Sequence, residues 1–234
     1  MSRLLALAAL VLAAPLSAPV RAEPPRPVVV ELFTSQGCSS CPPADRLLGE
    51  LSRTRQDVLA LAFHVTYWNR LGWPDPYSLE ASTDRQKHYA GLSDVGSIYT
   101  PQAVVDGTQD VVGSDGPKLR RAIAAAAAKA DAIPLAVRRQ GGEVTIGLQA
   151  GKGAGRVLVV GYDGERTTKV PRGENAGATL VESNIVRGLA VAGLWQGEAT
   201  ELHVSAPAGE HLAVIVQAAD GTILGAARVA TPQS

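Results

Sequence analysis

The sequence predicts an α/β domain with a central mixed sheet and flanking helices, followed by a sandwich-like antiparallel β-domain. Three observations carry this. Two apolar, β-branched runs, VVVELF from Val28 to Phe33 and VLALAFHV from Val58 to Val65, flank a helical segment at the spacing of a βαβ unit. After Ile133 the helix-and-strand rhythm gives way to short alternating segments separated by glycines. Finally, 46% of the 234 residues are hydrophobic, so a sizeable core is available without covalent staples.

The first 22 residues have their own composition. Arg3 precedes an unbroken apolar stretch from Leu4 to Ala14, too short to span a bilayer, and Val20 and Ala22 place small residues at −3 and −1 of a cleavage site. This is the pattern of a secretory signal cleaved after Ala22; cleavage after Ala18, or a retained anchor, are the alternatives. The mature chain is then periplasmic or secreted, with no membrane span. Export alters the meaning of cysteine, since disulfides persist in oxidising compartments.

From Glu23 to Pro27 the chain is a proline-rich extended lead-in. The run from Val28 to Phe33 reads as a strand buried on both faces, with Glu31 as its one charged residue. In TSQGCSSCPPADRLLGELSR, turn residues lead to Pro42 and Pro43, which suit the first turn of a helix, and Leu47, Leu48 and Leu51 form its apolar face. A second strand, Val58 to Val65, pairs parallel to the first. Residues 66–99 are less regular and hold six aromatics, Tyr67, Trp68, Trp73, Tyr77, Tyr89 and Tyr99, with a helix over SLEASTDRQKHYAGL. YTPQAVVDGTQDVVG reads as a hairpin turning at Asp106-Gly107. An alanine-rich helix follows and stops at Ile133-Pro134, so residues 23–133 are assigned to the first domain and 134–234 to the second. There, EVTIGLQ, RVLVVGY, ATLVES, NIVRGLAV, ATELHVS and the C-terminal run read as short antiparallel strands.

Twenty-two basic residues balance twenty-two acidic ones without a long run of either sign, which argues against a nucleic-acid partner. The only cysteines are Cys38 and Cys41. Random placement of two cysteines gives this spacing in roughly 1% of arrangements, so the pair carries information. A bridge across two residues closes too small a loop to constrain the unfolded chain much, so stability alone is a poor reason for it. At a helix start, backbone N–H groups and the macrodipole favour a thiolate, which is the attacking form in disulfide exchange. Cys38 is the candidate nucleophile, with its sulfur exposed, and Cys41 the resolving thiol. A non-catalytic disulfide remains the bland alternative. Four scattered histidines and two thiols do not form a zinc set, and no metal or other cofactor is expected. A copper carrier using His64 as third ligand is the remaining metal option.

The strand VVELF ahead of C-x-x-C, the helix after it, the βαβ unit and YTPQAVVDG together resemble the thioredoxin superfamily. More narrowly, ELFTSQGCSSCPPAD, FHVTYWNRLGWPDPYS, RQKHYA and YTPQAVVDG are similar to a bacterial exported thioredoxin-like group, domain-of-unknown-function family 1223, over nearly the whole mature chain. The resemblance implies a thiol-disulfide oxidoreductase whose partners are protein or small-molecule thiols and disulfides. It also implies that Pro101 is a cis-proline and that Thr100 and Pro101 contact substrate. Tyr67, Trp68 and Trp73 are candidates for the groove wall, and Glu31 and His64 for tuning the thiols. The chain departs from thioredoxin in having Gly37 before the first cysteine and Ser39-Ser40 between the pair, so the potential and the direction of exchange do not carry over. Leu32 stands where thioredoxins have a buried aspartate, with Glu31 on the opposite strand face. An envelope binding or assembly module that keeps the disulfide closed is the competing function.

Overall fold

The computed structural model describes residues 26–93, 96–129 and 132–230. The expected signal and its cleavage site lie outside them. Strands β1 (Val28–Thr34) and β2 (Val58–His64) pair in parallel, in register from Val28 opposite Val58 to Thr34 opposite His64, with α1 (Pro42–Thr54) between them. Helix α2 (Glu80–Leu92) follows, and then the expected hairpin, β3 (Gln102–Val105) and β4 (Gln109–Val112). Its turn residues Asp106 and Gly107 have φ of 49° and 75°. A Cβ on Gly107 would stand 1.8 Å from the Gly221 carbonyl oxygen, so only glycine fits. Helix α3 (Gly116–Ala127) starts at Asp115, whose side chain accepts from the Lys118 N–H.

Four of the seven C-terminal strands join the first sheet instead of forming a sheet of their own. Strands β7 (Gly155–Lys169), β8 (Thr179–Trp195), β10 (His211–Gln217) and β11 (Ile223–Arg228) continue the first sheet, giving the order β11-β10-β7-β8-β2-β1-β3-β4. Residues expected as several short strands merge into two long ones of 15 and 17 residues. The bridge across the expected boundary is narrow: β2 pairs with β8 only at Ala62 opposite Ile185, reinforced by the Asn184 amide donating to the Ala60 carbonyl at 2.8 Å. A sandwich-like layer does exist. Strands β5 (Leu135–Gln140), β6 (Glu143–Leu148) and β9 (Thr200–Ser205) form a separate antiparallel sheet. Val144, Ile146 and Leu148 of that sheet pack with Val157, Val159, Val214 and Trp195 of the large one.

Period-2 geometry explains why β1 reads as a continuous apolar run. Val28, Val30 and Leu32 face α1 and α3, whereas Val29 and Phe33 face α2, and the two sets belong to different cores. Glu31 is on the α2 face, paired with Arg85. Thr34 and His64, at the carboxyl ends of their strands, fall on the face that α1 covers. No helix among the described residues is long and apolar enough to cross a membrane.

Candidate functional site

Cys38 and Cys41 form a disulfide in the connection between β1 and α1. Cys41 is the N-cap of α1, so Cys38 lies one turn ahead of the helix rather than on its first residues. The turn closes through the Cys41 N–H donating to the Cys38 carbonyl. The prolines suit this position: Ala44 and Asp45 donate to the Cys41 carbonyl, and Pro42 and Pro43 have no N–H to leave unsatisfied. Neither cysteine is exposed, contrary to the expectation of an open first sulfur. The serine hydroxyl of Ser40 is 3.4 Å from the Cys38 sulfur.

The turn that carries the pair is bound by a segment from the far half of the chain. The arm joining β7 to β8 is anchored by Val170, which is fully buried, and by reciprocal bonds from Val170 and Gly177 to the Ala178 and Val170 carbonyls. At its tip, the Glu174 carboxylate accepts from the Ser39 N–H (3.1 Å) and hydroxyl (2.7 Å). The Asn175 amide donates to the carbonyls of Gln36 (2.9 Å) and Cys38 (3.0 Å). Gly173, at φ 84°, comes so close to Trp73 that an added Cβ would lie 3.1 Å from that side chain.

Beneath the turn is a buried ionisable cluster. His64 donates through Nδ1 to Asp75 at 2.7 Å, and its Nε2 stands 3.8 Å from a Glu182 oxygen. Gln36 joins the parts: its N–H donates to Asp75, its side-chain amide donates to Glu182 at 2.6 Å, and its side-chain carbonyl accepts from Trp73 Nε1 at 3.0 Å. On the α1 side, Asp45 accepts from the Thr34 hydroxyl at 2.7 Å. His64 Nε2 and that Glu182 oxygen have no hydrogen-bond partner among the described residues.

Three carboxylates share one imidazole here, and their proton affinities separate accordingly. Burial alone would lower the His64 pKa, but Asp75, Glu182 and Asp45 outweigh it and push it up to about 9. Asp75 is held below the usual carboxylate range by His64, against the effect of its own burial. Burial and the charge of Glu182 push Asp45 up to about 7. Glu182 is also raised, chiefly by burial. A cavity of about 120 Å³, lined by Pro42, Asp45, Arg46, Thr179, Leu180 and Val181, lies against Asp45. Proton uptake and release near neutral pH is thus available within the first turn of the helix that Cys41 caps.

The remaining sequence-derived candidates fall in two groups. Trp68 and Thr100 meet: Trp68 Nε1 donates to the Thr100 hydroxyl at 2.8 Å, and a Cβ on Gly37 would touch Trp68 at 3.2 Å. The Thr100-Pro101 bond is cis, and Pro101 is buried. Tyr67 and Trp68 both pack against the core on the α2 face, and Trp73 is bound to Gln36. Glu31 is fully buried on that α2 face and pairs with Arg85, while the Tyr89 hydroxyl donates to it at 2.7 Å. The sheet therefore separates Glu31 from the helix that carries the cysteines.

Gln36, Asp45, Asp75, Glu174, Asn175 and Glu182 were not foreseen. One signal was available: Cys41, Asp45 and Leu48 recur at i, i+4 and i+7, the spacing of a single helix face, and Leu48 is core.

Residues 29–217 match the family model described as Protein of unknown function (DUF1223). The chain belongs to this family. A crystal structure of a protein from Agrobacterium tumefaciens is similar, at 31% identity and a TM-score of 0.78, with 91% of this chain and 98% of that one covered. HBP35 of Porphyromonas gingivalis is similar in fold alone, at 12% identity and a TM-score of 0.53 over 92% of this chain and 80% of that one. No curated protein matches the chain significantly. Family membership places the motif residues in a shared scaffold, and the chemistry has to be argued from the site.

Proposed function

We propose that the protein is an exported thiol-disulfide oxidoreductase on a thioredoxin-like scaffold, exchanging disulfides through Cys38 with Cys41 as the resolving thiol. The observation that carries this is the placement of the Cys38–Cys41 disulfide at the start of α1, directly over a cluster of buried acids and a histidine. In the forward direction the Cys38 thiolate attacks one sulfur of a partner disulfide. That bond breaks, its electron pair leaves on the partner's second sulfur, and that sulfur takes a proton. Cys41, having given up its own proton, then attacks Cys38 Sγ in the mixed disulfide. The internal bond forms and the partner's remaining thiolate departs, so two electrons pass from the protein to the partner. Asp45, with a proton affinity near neutrality and adjacent to the helix start, is suited to exchange protons with Cys41. Thr100, Pro101 and Trp68 form the wall a partner would meet beside the turn.

The test is trapping. Cys41→Ser, expressed in the exporting cell, should accumulate a mixed disulfide through Cys38 that reductant releases; failure to find any adduct, in cells or with added disulfides, would count against exchange. Fractionation of the same cells should recover the protein outside the cytoplasm, shortened at Ala22.

One observation favours a second reading. Both cysteines are wholly buried, as in a disulfide kept only for structure. In that case the protein is an envelope binding module, and its disulfide should have a potential below about −300 mV.

A further inference from the structure

The strap over the cysteines has a chemistry of its own. In a helix start of this kind, a thiolate on Cys38 would draw on the backbone donors of the turn. Here Cys41 donates to the Cys38 carbonyl, Pro42 and Pro43 have no donor, and the Ser39 N–H is held by Glu174, which leaves the Ser40 N–H as the donor of the turn without a partner among the described residues. The carboxylate thus occupies a donor adjacent to Cys38, and Ser39, one of the two residues between the cysteines, supplies a second bond to it. Asn175 closes the other side on the Cys38 carbonyl.

We infer that Glu174 and Asn175 form a latch on the redox turn, which must open before Cys38 Sγ can be reached and which, when shut, opposes negative charge on that sulfur. This rests on the exchange reading proposed above and adds the residues that control it. Both are positioning residues, acting through Ser39 and the Cys38 backbone. Two consequences follow from one contact. Access is gated, because Cys38 is fully buried and the arm ties down its carbonyl and the neighbouring Ser39, so the turn can shift to present the sulfur only once those bonds break. The equilibrium is biased, because reduction places a thiolate on the residue next to Ser39, whose N–H and hydroxyl already hold the Glu174 carboxylate, and so favours the disulfide. Asp45 of α1, His64 at the end of β2, Asp75 and Glu182 of β8 are buried beneath the turn, whereas Arg172 on the arm and Arg46 of α1 are exposed. Glu174 is exposed and Asn175 half-buried, so the latch can open without uncovering charged groups of the core.

The balanced reaction that reads the latch is reduction by glutathione. One glutathione thiolate attacks Cys38 Sγ and Cys41 leaves as thiolate. A second glutathione attacks the sulfur of the first, giving glutathione disulfide and the protein dithiol, with two electrons and two protons taken up. Two variants separate access from charge. Glu174→Ala with Asn175→Ala removes the latch, whereas Glu174→Gln keeps an acceptor for Ser39 and removes only the charge. We expect the double variant to be reduced about tenfold faster or more, at a melting temperature close to that of the parent protein. Glu174→Gln should leave the rate within a few-fold of the parent and move the glutathione equilibrium toward the dithiol by roughly three- to tenfold, the upper figure being about 30 mV. Added salt should shrink the charge effect in the parent protein and leave the Gln variant unmoved.

If the double variant is reduced at the parent's rate, the latch is wrong. Should it fail to fold, the salt dependence and the Gln variant decide, and an unchanged equilibrium in Glu174→Gln overturns the charge effect. Combining Cys41→Ser with the double variant separates the two ideas. Adducts that form equally with and without the latch reject only the latch, whereas no adduct in either rejects exchange itself.

Discussion

Two buried charged clusters lie on opposite faces of the same sheet, and they are built to different ends. On the α2 face, Glu31, Arg85, Tyr89 and Gln217 form a closed set: one carboxylate faces one guanidinium in a two-point ion pair, and Tyr89 and Gln217 take up further bonding capacity. On the α1 face, Asp45, Asp75 and Glu182 surround a single His64, and His64 Nε2 and one Glu182 oxygen have no hydrogen-bond partner among the described residues. In the first cluster the Glu31 carboxylate beside Arg85 holds the guanidinium protonated, and burial keeps the Tyr89 hydroxyl neutral. The second contains groups pushed to about 7 and about 9, and it is the one beneath the cysteines. A balanced buried pair fixes packing, whereas an unbalanced set stores protons.

The largest effect is expected on the balanced side. Arg85→Met leaves Glu31 buried without its cation and should cost about 3–5 kcal/mol in urea unfolding. Disulfide exchange by the folded fraction should be unaffected. A change in exchange rate would mean that the two faces are coupled through the sheet.

The pH dependence distinguishes the faces next. His64 has a folded pKa raised above its unfolded value, so its contribution is complete below about pH 6.5 and is lost as pH rises through about 9. Asp45 is also raised, so its protonated form favours the native state and stability falls as pH climbs from about 4 to 7. Asp75 has the opposite sign: its contribution is present above the ordinary carboxylate range and is lost as pH falls through its lowered value. Unfolding free energy should therefore decline between pH 6.5 and 9, by about 3 kcal/mol at most. His64→Asn should flatten that limb, and a limb that survives the substitution belongs to another group.

Gln36→Ala would leave Glu182 and Trp73 without the partner that joins them and should cost about 2 kcal/mol. Smaller still is Asp45→Asn, which keeps an acceptor for Thr34 and should alter stability at pH 5 by less than about 1 kcal/mol. Its effect should appear instead in the pH profile of exchange, whose limb near pH 7 should move or vanish. An unaltered profile would remove Asp45 from the proton pathway.

Local signals made the first half of the fold legible. The two apolar runs, the prolines at the start of α1 and Asp106-Gly107 each act over a few residues, and the structure has them where expected. The membership of β7, β8, β10 and β11 in the same sheet was not legible. That pairing depends on contacts over more than 120 residues, through the single bridge of Ala62 and Ile185. A strand's alternation does not say which edge it will join. The cysteine pair was evident from spacing, but the arm bound to its turn was not, because Glu174 and Asn175 lie in a polar loop that resembles any turn. Asp75 lies between two prolines and reads as a turn residue. Glu182 interrupts an apolar strand, as Glu31 does, and only the fold shows which one finds an arginine.

The central claim is that the Cys38–Cys41 pair is a working dithiol, and the most direct test is its reduction potential, measured by equilibration with glutathione and dithiothreitol. A catalytic pair should titrate above about −300 mV, so that partners can reduce and reoxidise it. A value well below that, unmoved by Glu174→Gln, would make the disulfide a permanent structural bond and contradict the account.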